Sequence, residues 1–285
     1  WEENWRIKKY YAGGAEDTGW NIALDSDGDS DFIESQDRAM AIAADPAGYL
    51  YVAGSAEDLA GDSSGNDWWI CKFDLNGNQV TDEEWPVVVD HGNGDDASTA
   101  IAVDGYGNVI VAGYSTNYVG ASSGRDWRIE KYRGYGAPVE GWDVSVSFSD
   151  TGTREQPTDI AIDEDGNLYV VGRYYESSMQ YYNWAVKKFA ADGTADTVFD
   201  HSFTGQATSG YDSAYAIDLD PFGGLIVVGS EAAQDTNWRV KRYALDGTED
   251  SEWNFPVSLY AADVARAVAV SEEGEVYVGG YVAGS

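Results

Sequence analysis

Apolar and polar residues alternate along this chain in short runs, and the runs recur. The stretch AIAADPAGYLYVAG at 41–54 places a short apolar strand, a polar turn and a second apolar strand ending in glycine. The arrangement returns as AIAVDGYGNVIVAG at 100–113, DIAIDEDGNLYVVG at 159–172, AIDLDPFGGLIVVG at 216–229 and AVAVSEEGEVYVGG at 267–280. A second pattern sets Trp two positions before Ile or Val and four before Lys or Arg. It reads WRIKKY (5–10), WWICKF (68–73), WRIEKY (127–132), WAVKKF (184–189) and WRVKRY (238–243). A glycine-bearing turn follows, then a fourth apolar stretch: WNIAL at 20–24, WPVVV at 85–89, WDVSV at 142–146, VFDHSF at 198–203 and WNFPV at 253–257. β-Branched and aromatic runs bounded by Gly, Asp and Asn predict four antiparallel strands per unit. No segment sustains a 3.6-residue period, so a helical solenoid is excluded.

Five units in 285 residues give 57 residues each. Four-stranded meanders repeated about an axis make an all-β, five-bladed β-propeller. The chain begins at the third strand of one unit and stops after the second strand of another. The closing blade is therefore expected from 264–285 plus 1–24, with the N-terminal strands completing the C-terminal blade and removing free edges. Nine residues would separate Gly280 from Trp5 across that junction, against eight in SEAAQDTN at 230–237. The reading is one domain over 1–285. A start at Trp1, with no leader-like segment, reads as a processed piece of a longer precursor.

AIDEDGNLYVVG followed by WAVKKFAADG is similar to bacterial SBBP and Delta-60 β-propeller repeats, and more loosely to the shorter NHL repeats. The resemblance runs along essentially the whole chain. It implies architecture and little about activity, because such repeats are found in secreted and surface proteins of varied role.

Charge narrows the partners. With 17 basic and 50 acidic residues the formal net charge is −33. Nucleic acid and anionic membrane are repelled by such a surface, and no apolar run is long enough for a membrane helix. Aromatics make up 14% of the chain, enough to build a core. Cys71 is the sole cysteine, which excludes an intramolecular disulfide, and His91 and His201 stand in no metal-ligand spacing. Eleven of the 17 basic residues lie in the five Trp motifs, so the loops hold the excess acid.

Repetition separates scaffold from candidate function. Trp5, Trp68, Trp127, Trp184 and Trp238 recur in every unit and read as packing between sheets. The basic fifth position (Lys9, Lys72, Lys131, Lys188, Arg242) reads as an ion pair or a cation over a ring. Cys71, at a position held by Lys8, Glu130, Lys187 and Lys241 elsewhere, reads as a strand residue. An acid precedes each inner strand: Asp37, Asp96, Glu155, Asp212 and Asp263. Either each caps its own connection through backbone amides, or together they form an anionic ring that binds a cation or sugar.

Longer, irregular connections lie opposite the tight turns, at 55–67, 114–126 and 173–183 and between units, and that rim is the candidate binding surface. Tyr174, Tyr175, Tyr181 and Tyr182 on it suit carbohydrate or protein contact. Asp25, Asp27, Asp29 and Asp31 resemble an acidic Ca²⁺ loop, although Gly28 and Ser30 depart from the usual order.

The expectation is a non-catalytic, secreted or cell-surface module for protein binding, adhesion or self-assembly, with no nucleic-acid partner and no membrane insertion. A glycan-binding, lectin-like propeller is the alternative. A glycoside hydrolase, with Glu155 as acid and Asp37 or Asp212 as its partner, is the third reading. Those acids follow the repeat, whereas an active site should break it.

Overall fold

The alternating runs fold as strands throughout. The computed structural model describes residues 4–26, 37–59, 61, 65–82, 84–92, 94–116, 124–148, 155–176, 181–203, 212–232, 236–253, 255–257 and 263–282. β1 (Trp5–Tyr10) and β2 (Glu16–Leu24) form a two-stranded sheet. β3 (Arg38–Ala44), β4 (Leu50–Glu57) and β5 (Asn66–Phe73) form the next, and β5 also pairs with both β6 (Gln79–Val80) and β7 (Val87–Val89). A third sheet orders β8 (Ala97–Val103), β9 (Val109–Thr116), β10 (Arg125–Tyr132) and β11 (Pro138–Val146) as β11-β10-β9-β8. The fourth contains β12 (Gln156–Ile162), β13 (Leu168–Glu176), β14 (Tyr181–Phe189) and β15 (Ala195–Phe203) in sequence order. The fifth contains β16 (Ser213–Asp220), β17 (Gly224–Ala232), β18 (Thr236–Ala244) and β19 (Phe255–Val257). β20 (Asp263–Val270) and β21 (Val276–Val282) form a final pair. The expected strand at 253–257 is shorter, because Ser251–Trp253 forms a turn of 3₁₀ helix.

Two compact units divide the chain, Trp1–Tyr118 with Arg128–Glu140, and Val119–Trp127 with Gly141–Ser285. Within the first, β8 lies over β3, β4 and β5; within the second, β16 lies over β12, β13 and β14, and β20 over β16, β17 and β18. Each unit's core sits between consecutive sheets. Trp5, Ile7, Trp20, Val52, Trp69, Cys71 and Phe73 form one such cluster in the first unit. In the second, Tyr169, Trp184, Phe199, Leu225, Val227 and Tyr243 form its counterpart.

One contact recurs wherever the Trp motif meets the next sheet. The indole nitrogens of Trp5, Trp68, Trp127, Trp184 and Trp238 donate to the carbonyls of Ser55, Tyr114, Arg173, Ser230 and Tyr281, at 3.4, 3.1, 3.2, 2.8 and 3.1 Å. Each acceptor follows the glycine that ends the pair-strand motif. A β-carbon on Gly54, Gly113, Gly172, Gly229 or Gly280 would stand 2.9, 2.5, 2.7, 2.9 or 3.0 Å from that indole's Cζ2. The carbonyl oxygen of the paired inner strand (Arg38, Ala97, Gln156, Ser213 or Val264) would be nearer still, at 1.9, 2.3, 2.2, 2.0 or 2.1 Å, so strand pairing and the ring together admit only glycine. The packing role expected for these tryptophans is what the sheets display.

Basic residues and outer Trp share a second recurrent acceptor, the carbonyl in the turn of the neighbouring sheet. Trp20 and Lys9 donate to Leu75 O (3.1 and 3.5 Å), and Trp85 and Lys72 to Gly134 O (3.0 and 2.6 Å). In the second unit Trp142 reaches Ala191 O (2.8 Å) and Lys188 reaches Leu245 O (2.8 Å). Lys72 also lies 4.1 Å from the Tyr49 ring centre. Lys131 and Arg242 pair with Asp104 and Asp220 at 2.9 and 2.5 Å. Cys71 is buried in its strand, and burial pushes its thiol pKa up, away from nucleophilic reactivity.

Candidate functional site

The acids that enter the inner strands are buried and occupied. Asp37 accepts the Ser26 amide (2.9 Å) and hydroxyl (3.0 Å) and the Glu57 amide (3.4 Å). Asp96 accepts the amides of His91 and Thr116, both at 2.8 Å. Glu155 accepts the Phe148 amide through both oxygens, at 3.3 and 3.1 Å. Asp212 accepts the Ala232 amide at 2.6 Å. Asp263 is likewise fully buried at the start of β20. Glu57, Thr116 and Ala232 each stand three residues beyond the key glycine. Asp37 and Asp96 thus tie the end of a second strand to the segment leaving an outer strand, which is the capping arrangement.

The tyrosine segment is more ordered than a loop. β13 continues to Glu176 and β14 starts at Tyr181, so the hairpin pairs Tyr174 with Asn183, Tyr175 with Tyr182 and Glu176 with Tyr181. Alternation then divides the four rings. Tyr174 is buried and stacks on Phe148 with centres 4.8 Å apart. Tyr175 and Tyr182 meet edge to face at 5.3 Å, and the Arg173 guanidinium lies 5.1 Å from the Tyr182 ring. Tyr175, Tyr181 and Tyr182 remain half-buried at the long-connection end of this sheet.

Of the acidic loop, Asp27, Asp29 and Asp31 lie outside the described residues, and Asp25 is half-buried just beyond β2. Among the described residues no group of three His, Cys, Asp or Glu side chains is arranged to hold a metal.

Two polar groups break the repeat and are built around residues outside the candidate sites that the sequence suggests. The first centres on Glu130, which stands where three other motifs have lysine. His91 Nε2 lies 2.6 Å from Glu130 Oε1, Arg128 Nη2 lies 3.1 Å from the same oxygen, and the Tyr132 hydroxyl donates to Oε2. His91 Nδ1 is 3.5 Å from Asp96, and its ring meets Trp68 edge-on at 5.2 Å. Burial works against the Glu130 carboxylate, but the His91, Tyr132 and Arg128 contacts outweigh it and bring its pKa to about 2. Burial likewise opposes the His91 imidazolium, yet the hydrogen bonds to Asp96 and Glu130 raise its pKa above the ordinary histidine value. A charge reversal at one motif position was the available signal.

The second group lies on the inner strands. Asp159 accepts the amides of Ile160 and Ile217, both at 2.9 Å, linking β12 to β16. Asp218 accepts Leu219 N at 2.8 Å and Val270 N at 2.7 Å, linking β16 to β20. Burial, with the nearby Asp218 charge, raises the Asp159 pKa to about 6 against the pull of its two amides. Ala41, Ala100, Ala216 and Ala267 occupy the position of Asp159 in the other motifs, so this departure was also visible in sequence.

Comparison with known proteins agrees at the level of fold. Residues 148–173 match the SBBP β-propeller repeat family. No curated protein sequence matches the chain. Among solved structures, a protein of unknown function from Dyadobacter fermentans is 9% identical, with a TM-score of 0.50 over 85% of this chain and 74% of its own. A periplasmic gluconolactonase from Pseudomonas aeruginosa is 13% identical, with a TM-score of 0.45 over 96% and 90% of the two chains. An exo-β-1,3-galactanase from Phanerochaete chrysosporium is 12% identical, with a TM-score of 0.45 over 90% and 56%. The architecture is all-β, with four-stranded antiparallel sheets of propeller type and an SBBP repeat. Among the described residues no helix is long and apolar enough to cross a membrane.

Proposed function

We propose that the chain forms a closed five-bladed propeller acting as a non-catalytic binding or assembly module outside the cell, and that it binds through its long-connection rim. Closure is supported by the sheets at the two ends of the chain: among the described residues β1-β2 and β20-β21 each hold two strands, the complementary halves of a four-stranded sheet such as β16 to β19. Blade-for-blade registry predicts the missing pairing. Val227 pairs with Lys241 and Val170 with Lys187, so Val278 should pair with Lys8. In a Cys71→Ala background, Lys8→Cys with Val278→Cys should form an intramolecular disulfide. Failure to crosslink, or crosslinking only between chains, overturns closure.

The observation that carries the binding reading is the half-exposed cluster of Tyr175, Tyr181, Tyr182 and Arg173 at the end of the β13–β14 hairpin. Tyr and Arg are the side chains interfaces favour. The hydrolase alternative is weakened because Glu155, Asp37 and Asp212 already use their oxygens on backbone amides. Sedimentation velocity with added calcium or magnesium, which screen the −33 charge, should show association. Tyr175→Ser with Tyr182→Ser should abolish it. Product release from chromogenic glycosides would overturn the non-catalytic reading, and chelator-sensitive binding on a glycan array without turnover would move it to a lectin.

A further inference from the structure

A second surface lies at the other end of the strands. Within the second unit, the inner turns at 163–165, 220–223 and 270–272 surround a half-open cavity of about 470 Å³. Leu219, Leu245 and Val270 line it and are partly buried against the neighbouring cores. Acidic side chains stand around that apolar base, and their hydrogen bonds divide them into two kinds.

Asp163 and Asp220 are committed to the fold. Asp163 accepts the amides of Asp165 and Asn167 at 3.0 and 2.8 Å, the Asn167 side-chain amide at 2.9 Å and the Tyr169 hydroxyl at 3.0 Å. Asp220 accepts the Phe222 amide at 2.8 Å and pairs with Arg242 at 2.5 Å. Glu164, Asp165 and Glu272 are exposed. Their carboxylates take part in no hydrogen bond or ion pair among the described residues. Three uncommitted negative charges therefore rim a cavity with an aliphatic base.

We propose that this pocket receives a lysine or arginine side chain from a basic polypeptide partner. Those side chains pair an apolar stem with a cationic head, so the stem can lie on Leu219, Leu245 and Val270 while the head reaches the three carboxylates. Phe222, between two lining residues and 72% exposed, offers contact to the partner chain on either side of the inserted residue. The overall charge of −33 steers a basic partner toward the protein, and the pocket supplies the local fit that a diffuse field lacks. This surface is independent of the tyrosine cluster, and either can fail without the other.

The test uses a fluorescein-labelled peptide bearing lysine and leucine, with its Nε-acetylated counterpart, followed by anisotropy at about 0.15 M salt, where the Debye length is about 8 Å. Two charge-matched variants are compared: Glu164→Gln/Asp165→Asn/Glu272→Gln in the pocket, and Glu84→Gln/Glu140→Gln/Glu252→Gln at exposed acids elsewhere. The pocket triple should weaken peptide binding about tenfold and the remote triple less than about twofold, with the acetylated peptide binding no better to wild type than the free peptide does to the pocket triple. Equal weakening by both triples, or equal binding of the two peptides, overturns the proposal. So does absence of binding to the wild-type chain.

Discussion

Trp184 fills the space above Gly229. Its indole nitrogen donates to the carbonyl of Ser230 at 2.8 Å, and its Cζ2 stands 2.9 Å from where a β-carbon on Gly229 would be. The same residue pair recurs at every Trp motif, and the Ser213 carbonyl of the paired strand would stand 2.0 Å from that β-carbon, so strand pairing and sheet packing both require the glycine.

Gly229→Ala should therefore lower stability by about 2–3 kcal/mol, as overpacking of a close contact does. Gly105→Ala, where an added methyl meets nothing within 4 Å, should stay within about 0.5 kcal/mol. Chemical denaturation of the two variants beside wild type measures the contrast.

The capped entry of β3 makes a second case. Asp37 gives one oxygen to the Ser26 amide and the other to the Glu57 amide, so an asparagine there must turn its NH₂ toward one donor. Asp37→Asn should cost about 1–3 kcal/mol of unfolding free energy. Unchanged melting would instead favour the anionic-ring reading of these acids.

Glu130 and His91 predict a pH dependence. A carboxylate held near 2 contributes stability that is present above its unfolded value of about 4.5 and is lost as pH falls toward 2. A histidine raised above 6.5 contributes stability that is full below that value and is lost as pH rises through the folded pKa. The pair should stabilise most between about pH 4.5 and 6.5. Glu130→Gln should cost about 3 kcal/mol in that window, as breaking a buried pair does. Glu130→Lys should cost more, although lysine is the usual residue of the motif, because it would face Arg128 and His91. Melting temperatures of the three proteins across pH decide this.

Asp159 runs the other way. Its pKa of about 6 exceeds the unfolded value of 3.8, so the folded chain holds more protons between those limits and this residue's contribution to stability falls as pH rises from about 4 to 6. Asp159→Asn should flatten that part of the profile. An unaltered slope would assign it to other carboxylates.

Much of the scaffold was readable from the chain because it repeats. The glycine, tryptophan and basic positions are set by local strand geometry and by one contact used again and again, so five copies expose them. The loop expected at 173–183 is shorter in the structure: strand pairing extends to Glu176 and Tyr181 and takes in Tyr175 and Tyr182, although the polar Glu176 and Asn183 interrupt the apolar pattern there. The His91–Glu130 group was harder to see. Its members are separated by 39 residues, and a reversed charge at one motif position does not reveal its partner.

The sequence alone determined strand content, turn positions and which residues are scaffold, because those follow from short-range alternation and steric demand. Tertiary structure decided the rest. It turned the acids Asp37 and Asp96 into buried caps, since only folding brings amides from two other segments within 3.4 Å. It also separated Glu164, Asp165 and Glu272 from Asp163 and Asp220. All five are equally acidic on paper, and only three-dimensional hydrogen bonding shows which charges the fold has already used.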